Sequence, residues 1–372
     1  MDGIGRYLYH LLDSITKLAY DDPSLRFTVL EVDEFKGKSV LRALEDRKNI
    51  KFVPLNLKPL GIKNHFLQSR IDNLGIDLIH YGQFDLPWFL KIPAVTTIHD
   101  LNPQFFPGFF EGASGKFKQT YSRLCNYAAL AKSKGIIAIS ANTKNELLDR
   151  FGKKYDDRIK VIYEGVDSEF AGRSKSKSVE ETLAKLRSRY DLTNYFLYVG
   201  NNRPHKNIKS MLEAFSAFKQ NDTQNFKFVI AGNMMERFGS VREYSNQYGL
   251  TGSLVQLTPD EDELIALYKG SRALVYCSLS EGFGLPILEA MQLGTPVLTS
   301  DVSSMSEIAG DAAIKVNPVD IPAITKAMND AASDKAALVS YSQKGILRAA
   351  EFTWEKCAEK TLNFYLEILK IK

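Results

Sequence analysis

The sequence predicts an α/β protein built as two doubly wound domains, each around a parallel sheet. Three observations carry that expectation. Short β-branched runs alternate with longer amphipathic segments. The rhythm breaks in a polar stretch and restarts near residue 195. A chain of 372 residues is long enough for about two ordinary domains. In the first half, 25–32 (LRFTVLEV), 77–81 (DLIHY), 94–100 (AVTTIHD) and 135–140 (GIIAIS) read as buried strands. Among the intervening segments, GKFKQTYSRLCNYAALAKS sets Phe117, Tyr121, Leu124 and Ala128 at i, i+4, i+7 and i+11, an apolar helical stripe. In the second half the strands are YFLYVG, KFVIAG, LVQLT, ALVYC and PVLTSD. Alternation of this kind argues for parallel sheets covered by helices, and two such series argue for two domains.

The break falls in GVDSEFAGRSKSKSVEE, residues 165–181, polar and rich in Ser, Lys and Gly. The expected domains are therefore 1–172 and 194–354, joined by a linker over 173–193. Ligands of open α/β sheets bind outside the carboxyl ends of the strands. A two-domain version is expected to hold its ligand in the cleft between the domains.

Composition narrows the class. Hydrophobic residues at 44% and charged residues at 25% describe a soluble globular protein. No apolar run approaches the ~18 residues of a spanning helix, and MDGIGRYLYHLLDS lacks the order of a signal peptide. Cys125, Cys277 and Cys357 show no CxxC spacing, which predicts a reducing compartment without a disulfide framework or zinc site. The expected location is cytoplasmic. A net charge of +4 is too small to indicate a nucleic-acid partner, but it is unevenly spread. Eleven cations lie from Lys116 to Lys160, opposed by Glu146, Asp149, Asp156 and Asp157 alone. Such a stretch is either a solvated helix face or a surface for anionic head groups or an acidic substrate.

The most informative motif is SEGFGLPILEAMQLGTPV. Gly282 and Gly284 permit close backbone approach just after a strand, and Pro286 suits a helix start because its missing N–H has no partner there anyway. Gly294 and Pro296 mark the helix end. The loop offers amides and the positive helix end to an anion or to hydroxyl oxygens. Glu281 before the helix and Glu289 two turns along it are placed to hold separate parts of an extended polyhydroxyl ligand. A second cluster, NNRPHKN, sets Arg203, His205 and Lys206 at a strand-to-helix turn, where cations suit phosphates. His99 and Asp100 stand at another strand end. With only five histidines and no ligand spacing, a metal centre is not expected there; His99 reads as cleft-facing, with a satisfied buried histidine as the alternative. Gly3-x-Gly5 before an amphipathic helix is half of a dinucleotide fingerprint, with Leu8 where a third glycine belongs. It reads as a flexible loop that approaches phosphate. Ser304 and Glu307 have capping-box spacing, and Asp260-Glu261-Asp262 reads as an acidic first helical turn rather than a metal site.

Together these stretches resemble the retaining glycosyltransferases of family four. The resemblance runs through GIGRY, TIHDLNPQFFP, IAISANTKNEL, KVIYEGVD, YVGNNRPHKN, EGFGLPILEAMQLGTPVLTSDVSSMSEIAGDAA and FTWEKCAEKTLNFY. It implies the GT-B fold, two Rossmann-like domains facing a cleft, with the last helix, about 355–372, crossing back onto the first domain. It implies that Glu281 and the amides of Phe283, Gly284 and Leu285 hold the hexose of a nucleotide-sugar donor and that Glu289 binds ribose. Lys206 and Arg203, helped by His205, would neutralise the diphosphate, with Gly3 and Gly5 approaching it from the other domain. His99 would line the acceptor and sugar side, and backbone at Leu257 and Thr258 would read the base. The implied reaction is metal-independent, cofactor-free transfer of a hexose with retention. RPHKN and TIHDLNP lean toward mannose, and the donor is GDP- or UDP-linked. The acceptor would be a glycan or lipid-linked sugar in polysaccharide synthesis, with peripheral contact at the inner face of the membrane. Two other classes fit the same motifs: a non-catalytic protein that binds nucleotide sugar or glycan, and a sugar-nucleotide epimerase. Two departures stand out. Asn201 replaces the arginine that many relatives carry after the phosphate-loop glycine. Met1 lies almost at the glycine pair, where the family first has a strand, so the first domain is expected to lack that strand.

Overall fold

The computed structural model describes residues 3–32, 40–55, 68–106, 109–110, 115–174 and 176–370. It divides into two compact units, one of residues 1–165 with 354–372 and one of 166–353.

The first unit opens with α1 (Gly3–Leu18), so Gly3 and Gly5 form the first helical turn and not a loop. The reason is tertiary. Tyr7, Leu11 and Ile15, one turn apart, pack with Val95, Ile137, Ile162 and Trp354. That burial outweighs the roughly 1 kcal/mol that each glycine costs in a helix. β1 (Phe27–Val32) pairs in parallel with β2 (Ile50–Leu55), beginning at Phe27 opposite Ile50. α2 (Gln68–Asp72) leads to a second parallel sheet of β3 (Ile79–Tyr81), β4 (Ala94–Ile98), β5 (Gly135–Ala138) and β6 (Ile159–Val161), in that spatial order. Among the described strands, β1 and β3 are therefore both edge strands.

Among the described residues, three α-helices connect β4, β5 and β6: α3 (Asn102–Phe105), α4 (Gly115–Lys132) and α5 (Ala141–Phe151). Ser140 caps α5 by accepting from Thr143 N at 3.0 Å. α4 lies on its other face from the one its apolar stripe suggests. Ser122, Cys125, Asn126, Ala129 and Leu130 are buried, while Phe117 and Leu124 point to solvent. Small residues allow α4 to sit closely on the sheet, and the bulky stripe is turned outward.

The second unit starts with α6 (Ser168–Arg173) and α7 (Lys177–Tyr190). The expected linker over 173–193 is thus largely helical. Ser176 caps α7, and Val179 and Leu186 are buried. Two apolar side chains at helical spacing were enough to dock a segment that polar composition disguised. Next come β7 (Tyr195–Val199), α8 (Ile208–Lys219), β8 (Lys227–Ala231), α9 (Val241–Tyr248), β9 (Leu254–Leu257) and α10 (Glu261–Gly270). The chain continues through β10 (Ala273–Tyr276), α11 (Leu285–Gln292), β11 (Val297–Ser300), α12 (Ser303–Ala309) and β12 (Ile314–Val316). α13 (Ile321–Ser333) and α14 (Lys335–Ala349) complete the unit. Its six parallel strands run β12-β11-β10-β7-β8-β9, and β7, β8 and β10 are buried almost throughout, as a sheet covered on both faces requires. β2, β6 and β12 are absent from the strands the sequence predicts; β6 and β12 are three residues each, too short to show a period. The chain ends with α15 (Trp354–Lys370), which packs on α1 in the first unit.

Candidate active site

The strand order of the second unit reverses at β7. From β7 the chain builds outward through β8 and β9, then returns to add β10, β11 and β12 on the opposite side. The carboxyl ends of β7 and β10 therefore flank the topological switch point, where open α/β sheets hold ligands. Each end feeds one of the singled-out motifs.

After β7, Pro204–Lys206 forms a 3-10 turn closed by Asn207 at φ +57°, a left-handed conformation that asparagine tolerates. The Asn207 Nδ2 donates to the carbonyls of Cys277 (2.9 Å) and Pro318 (2.7 Å), and Leu279 N donates to His205 O (2.7 Å). The turn is thereby fixed to the loop after β10. Across that join, Lys206 Nζ donates to both carboxylate oxygens of Glu281, at 2.7 and 2.8 Å, and to Tyr276 Oη at 3.0 Å. Tyr276 Oη in turn donates to Glu281 Oε1 at 2.9 Å. The two charged side chains are only 16% and 10% exposed.

Burial is the largest influence on the Glu281 carboxyl and by itself would raise it, but the charge and hydrogen bonds of Lys206, with His205 and Ser278 adding to them, together hold the group below the usual glutamate value. Burial pushes His205 down to about 4, with Lys206 and Arg203 adding to the shift and Glu281 opposing it. His205 is therefore neutral at pH 7, and Lys206 is the cation that keeps Glu281 ionised there.

The Glu281 loop is held from behind by α12. Glu281 N donates to Ser303 Oγ (3.1 Å), whose hydroxyl donates back to Glu281 O (2.9 Å). Ser304 Oγ lies 2.9 Å from Glu281 O and 3.0 Å from Phe283 O. Ser303 adopts φ +59°, strained for a non-glycine residue. Ser304 is consequently not the helix cap its spacing with Glu307 suggests; Val302 occupies that position without a side-chain bond. Gly284, at φ +104°, caps α11, with Pro286 in the first turn. The first amides of any helix lack partners one full turn back; in α11 Pro286 has no N–H and Ile287 N donates to Gly284 O at 2.9 Å, which leaves the Leu285 amide as the first-turn donor. Two turns along, Glu289 is buried and accepts from Tyr268 Oη at 2.8 Å.

Family models match both halves of the chain: "Glycosyltransferase Family 4" over residues 1–170 and "Glycosyl transferases group 1" over 180–348. The chain belongs to the family 4 glycosyltransferases. An O-antigen chain mannosyltransferase B of Escherichia coli is 29% identical, the alignment covering 98% of this chain and 96% of that protein. A serotype-specific mannosyltransferase of E. coli is also 29% identical, over 77% of this chain and 34% of its own length. Among solved structures, an Anabaena protein crystallised with UDP and glucose superposes with a TM-score of 0.74 at 18% identity, covering 98% of this chain and 96% of that one. A glycosyltransferase from Rickettsia africae gives 0.73 at 19% identity, covering 100% and 96%. The fold is accordingly GT-B, with a Rossmann-like sheet in each unit.

In this glycosyltransferase the second unit brings Lys206 and Glu281 together, with His205 and the Phe283–Leu285 loop alongside. Leu257 ends β9, its carbonyl accepting from Gly232 N at 2.8 Å, and Thr258 follows it. Arg203 instead lines a cavity of about 580 Å³ shared with Lys209, Arg237 and Tyr244, on the side of α8 and α9. In the first unit His99 is already engaged. Its Nδ1 lies 3.1 Å from Glu164 Oε1, its Nε2 3.0 Å from Gly82 O, and Tyr7 packs edge-on at 4.8 Å. Both nitrogens serve intradomain partners and the side chain is 13% exposed, which fits the satisfied-histidine alternative. The Asp260-Glu261-Asp262 string opens α10, with Asp260 and Glu263 forming a reciprocal capping box and Arg173 pairing with Glu261 and Asp262. Sequence reasoning missed Tyr276, Tyr268 and Ser303, and gave Ser304 a capping role in place of its bond to the Glu281 loop. Tyr276 closes an apolar strand and looked like core; its one signal was a phenol five residues before Glu281.

Proposed function

We propose that this glycosyltransferase moves mannose, with retention, from a nucleotide-diphosphate sugar to a glycan or lipid-linked acceptor in surface-polysaccharide synthesis. The observation that carries the reading is the Lys206–Glu281–Tyr276 cluster at the β7/β10 switch point. The E. coli relatives named as mannosyltransferases support the sugar and the pathway class. Cleaving a glycosyl–phosphate bond builds negative charge on the leaving diphosphate. Lys206 and the Leu285 amide at the start of α11 are the groups that meet this charge, already held in place, which lowers the barrier without reorganisation and supplies the role of a metal ion. Glu281, held ionised, accepts from the sugar hydroxyls, and Glu289 accepts from the ribose. Retention follows from attack of the acceptor hydroxyl on the face the diphosphate leaves, with a phosphate oxygen taking its proton.

The test is a thermal-shift titration with GDP, UDP, ADP and their hexose conjugates, with and without divalent metal. Native-state binding raises the midpoint with ligand concentration. GDP-mannose is expected to give a selective shift that is lost in Lys206→Ala and Glu289→Ala, and the transferred sugar should carry the donor's anomeric configuration by NMR. Equal shifts in both variants, or an inverted product, would overturn the reading.

A further inference from the structure

The cavity that Arg203 lines stands apart from the donor cluster. α8 and α9 carry the chain outward from β7 to β8 and β9, whereas α10 and α11 carry it back to β10 and on to β11. Parallel crossovers are right-handed, so opposite directions put their helices on opposite faces of the sheet. Tyr268 and Glu289 belong to α10 and α11, while the cavity lies against α8 and α9. Among the described residues, Lys206, Glu281 and Glu289 take no part in its lining. Its volume of about 580 Å³ is that of a small-molecule site, about 300–1,000 Å³. One wall, Met235–Gly239, is fixed by the buried Asn202. The Asn202 Nδ2 donates to Met235 O (3.1 Å) and Gly239 O (2.8 Å), and its Oδ1 accepts from Met235 N (2.7 Å). Tyr244 Oη donates to Phe238 O in the same wall.

Three cations, Arg203, Lys209 and Arg237, line this fixed space. Glu243 lines it too, but its Oε2 accepts from Ser240 N (2.6 Å) and Ser240 Oγ (3.1 Å), so its charge is committed to capping α9. Glu236 is exposed, and among the described residues neither glutamate forms an ion pair with Lys209 or Arg237. The Arg237 guanidinium lies 4.6 Å from the centroid of the Phe238 ring, which holds the planar fork against the wall.

We propose that this cavity is a second ligand site, taking a small phosphorylated metabolite whose phosphate meets Arg203, Lys209 and Arg237. Two arginine forks and a lysine match the several acceptor oxygens of a phosphate monoester, the arginines with bidentate geometry. A recess lined by several cations concentrates an anion beyond what scattered surface charges achieve. The space is larger than a phosphate ion needs, and Pro204, Ile208 and Phe238 line the remainder. The ligand therefore carries an organic part, either the sugar of a hexose phosphate or the nucleoside of a nucleoside monophosphate. The site goes beyond the donor reaction proposed above and uses neither Lys206 nor the Glu281 loop.

Titration calorimetry of the full chain tests it, with inorganic phosphate, mannose 1-phosphate and guanosine monophosphate as separate probes. One of the two organic phosphates should bind more tightly than inorganic phosphate, and which one does so names the organic part. Added salt should weaken the binding. Lys209→Gln combined with Arg237→Gln is expected to weaken it at least about tenfold, the worth of one charge-assisted hydrogen bond. Both positions are exposed, so far-ultraviolet circular dichroism should not change, and the variant should keep whatever midpoint shift the parent shows with GDP-mannose. Lys206→Met, checked as folded in the same way, should bind the organic phosphate as the parent does. That arm separates this site from the donor site whichever nucleotide sugar the donor site takes. Three results would overturn the proposal: no binding of any probe, equal affinity for inorganic phosphate and both organic phosphates, or binding that survives the double replacement and disappears in Lys206→Met.

Discussion

Replacing Lys206 with methionine leaves the Glu281 carboxylate in its site without a cation. The side chains are 16% and 10% exposed, so the relevant comparison is a buried pair, whose loss of one partner costs about 3–5 kcal/mol, and not a surface pair worth about 0–1. Tyr276 still donates to Glu281, which places the expected cost near the lower end, about 3 kcal/mol. In a unit spanning 166–353, each kcal/mol moves the midpoint by about 2–4 °C. The pH dependence carries the sharper signature. In the parent chain the folded Glu281 value is depressed. Its contribution is therefore fully present above the unfolded value of about 4.3 and is lost as pH falls through the folded value. In Lys206→Met burial, the largest influence on the carboxyl, is no longer offset by the ammonium and raises it against the remaining hydrogen bonds, so the folded variant takes up a proton before the unfolded chain does. Its stability then recovers as pH falls through that raised value. The gap between the two proteins should be widest at neutral pH and narrow in acid. Adding Glu281→Gln to Lys206→Met should restore part of the loss, with a coupling of about 1–3 kcal/mol. Urea melts of the four proteins from neutral pH to the acid limit measure all of this. Additive single effects with a pH-independent gap would refute the reasoning.

Three other outcomes are expected. Ser304→Ala removes the hydroxyl that Glu281 O and Phe283 O share; it should cost about 1–3 kcal/mol in unfolding and weaken nucleotide-sugar binding, whereas unchanged affinity would show that α12 does not position the loop. Gly284→Ala should be worse than its size suggests. The position holds φ +104°, and a Cβ would meet Ile287 Cδ1 at 3.2 Å, a combined strain of about 1–3 kcal/mol. Gly172→Ala, in α6 with open space around it, should be neutral or stabilising by about 0.5–1 kcal/mol, and a comparable loss at both glycines in urea melts would argue against the strain. Finally, β1 and β3 are edge strands among the described strands of one unit, and strand edges favour pairing. An N-terminal extension of β-branched residues should pair there and raise the melting midpoint of the first unit, and an unmoved midpoint would count against an available edge.

Much of this protein was legible in its residues because the relevant signals are local. Tyr195–Val199, Lys227–Ala231 and Ala273–Tyr276 are continuous apolar runs, and a strand buried on both faces shows itself in that way. Gly284, Pro286 and Gly294 announced both ends of α11 because each relieves a specific backbone constraint. The acidic turn at Asp260 was readable for the same reason. What sequence could not decide was every question of which partner a group meets. Gly3 and Gly5 are helical because Tyr7 and Leu11 find Val95 and Trp354 far along the chain. Lys177–Tyr190 is helical because Val179 and Leu186 become buried, although its composition is that of a linker. Ser304 bonds the Glu281 loop and not its own helix, Arg203 lines the cavity beside α8 and α9, and both ring nitrogens of His99 meet partners within its own unit. The face α4 turns to the sheet was set by close packing of small residues, against the pull of its own apolar stripe. Local conformational preferences lie within a few residues and can be read there. Pairing, burial and charge compensation depend on groups brought together from distant positions, so only the tertiary structure settles them.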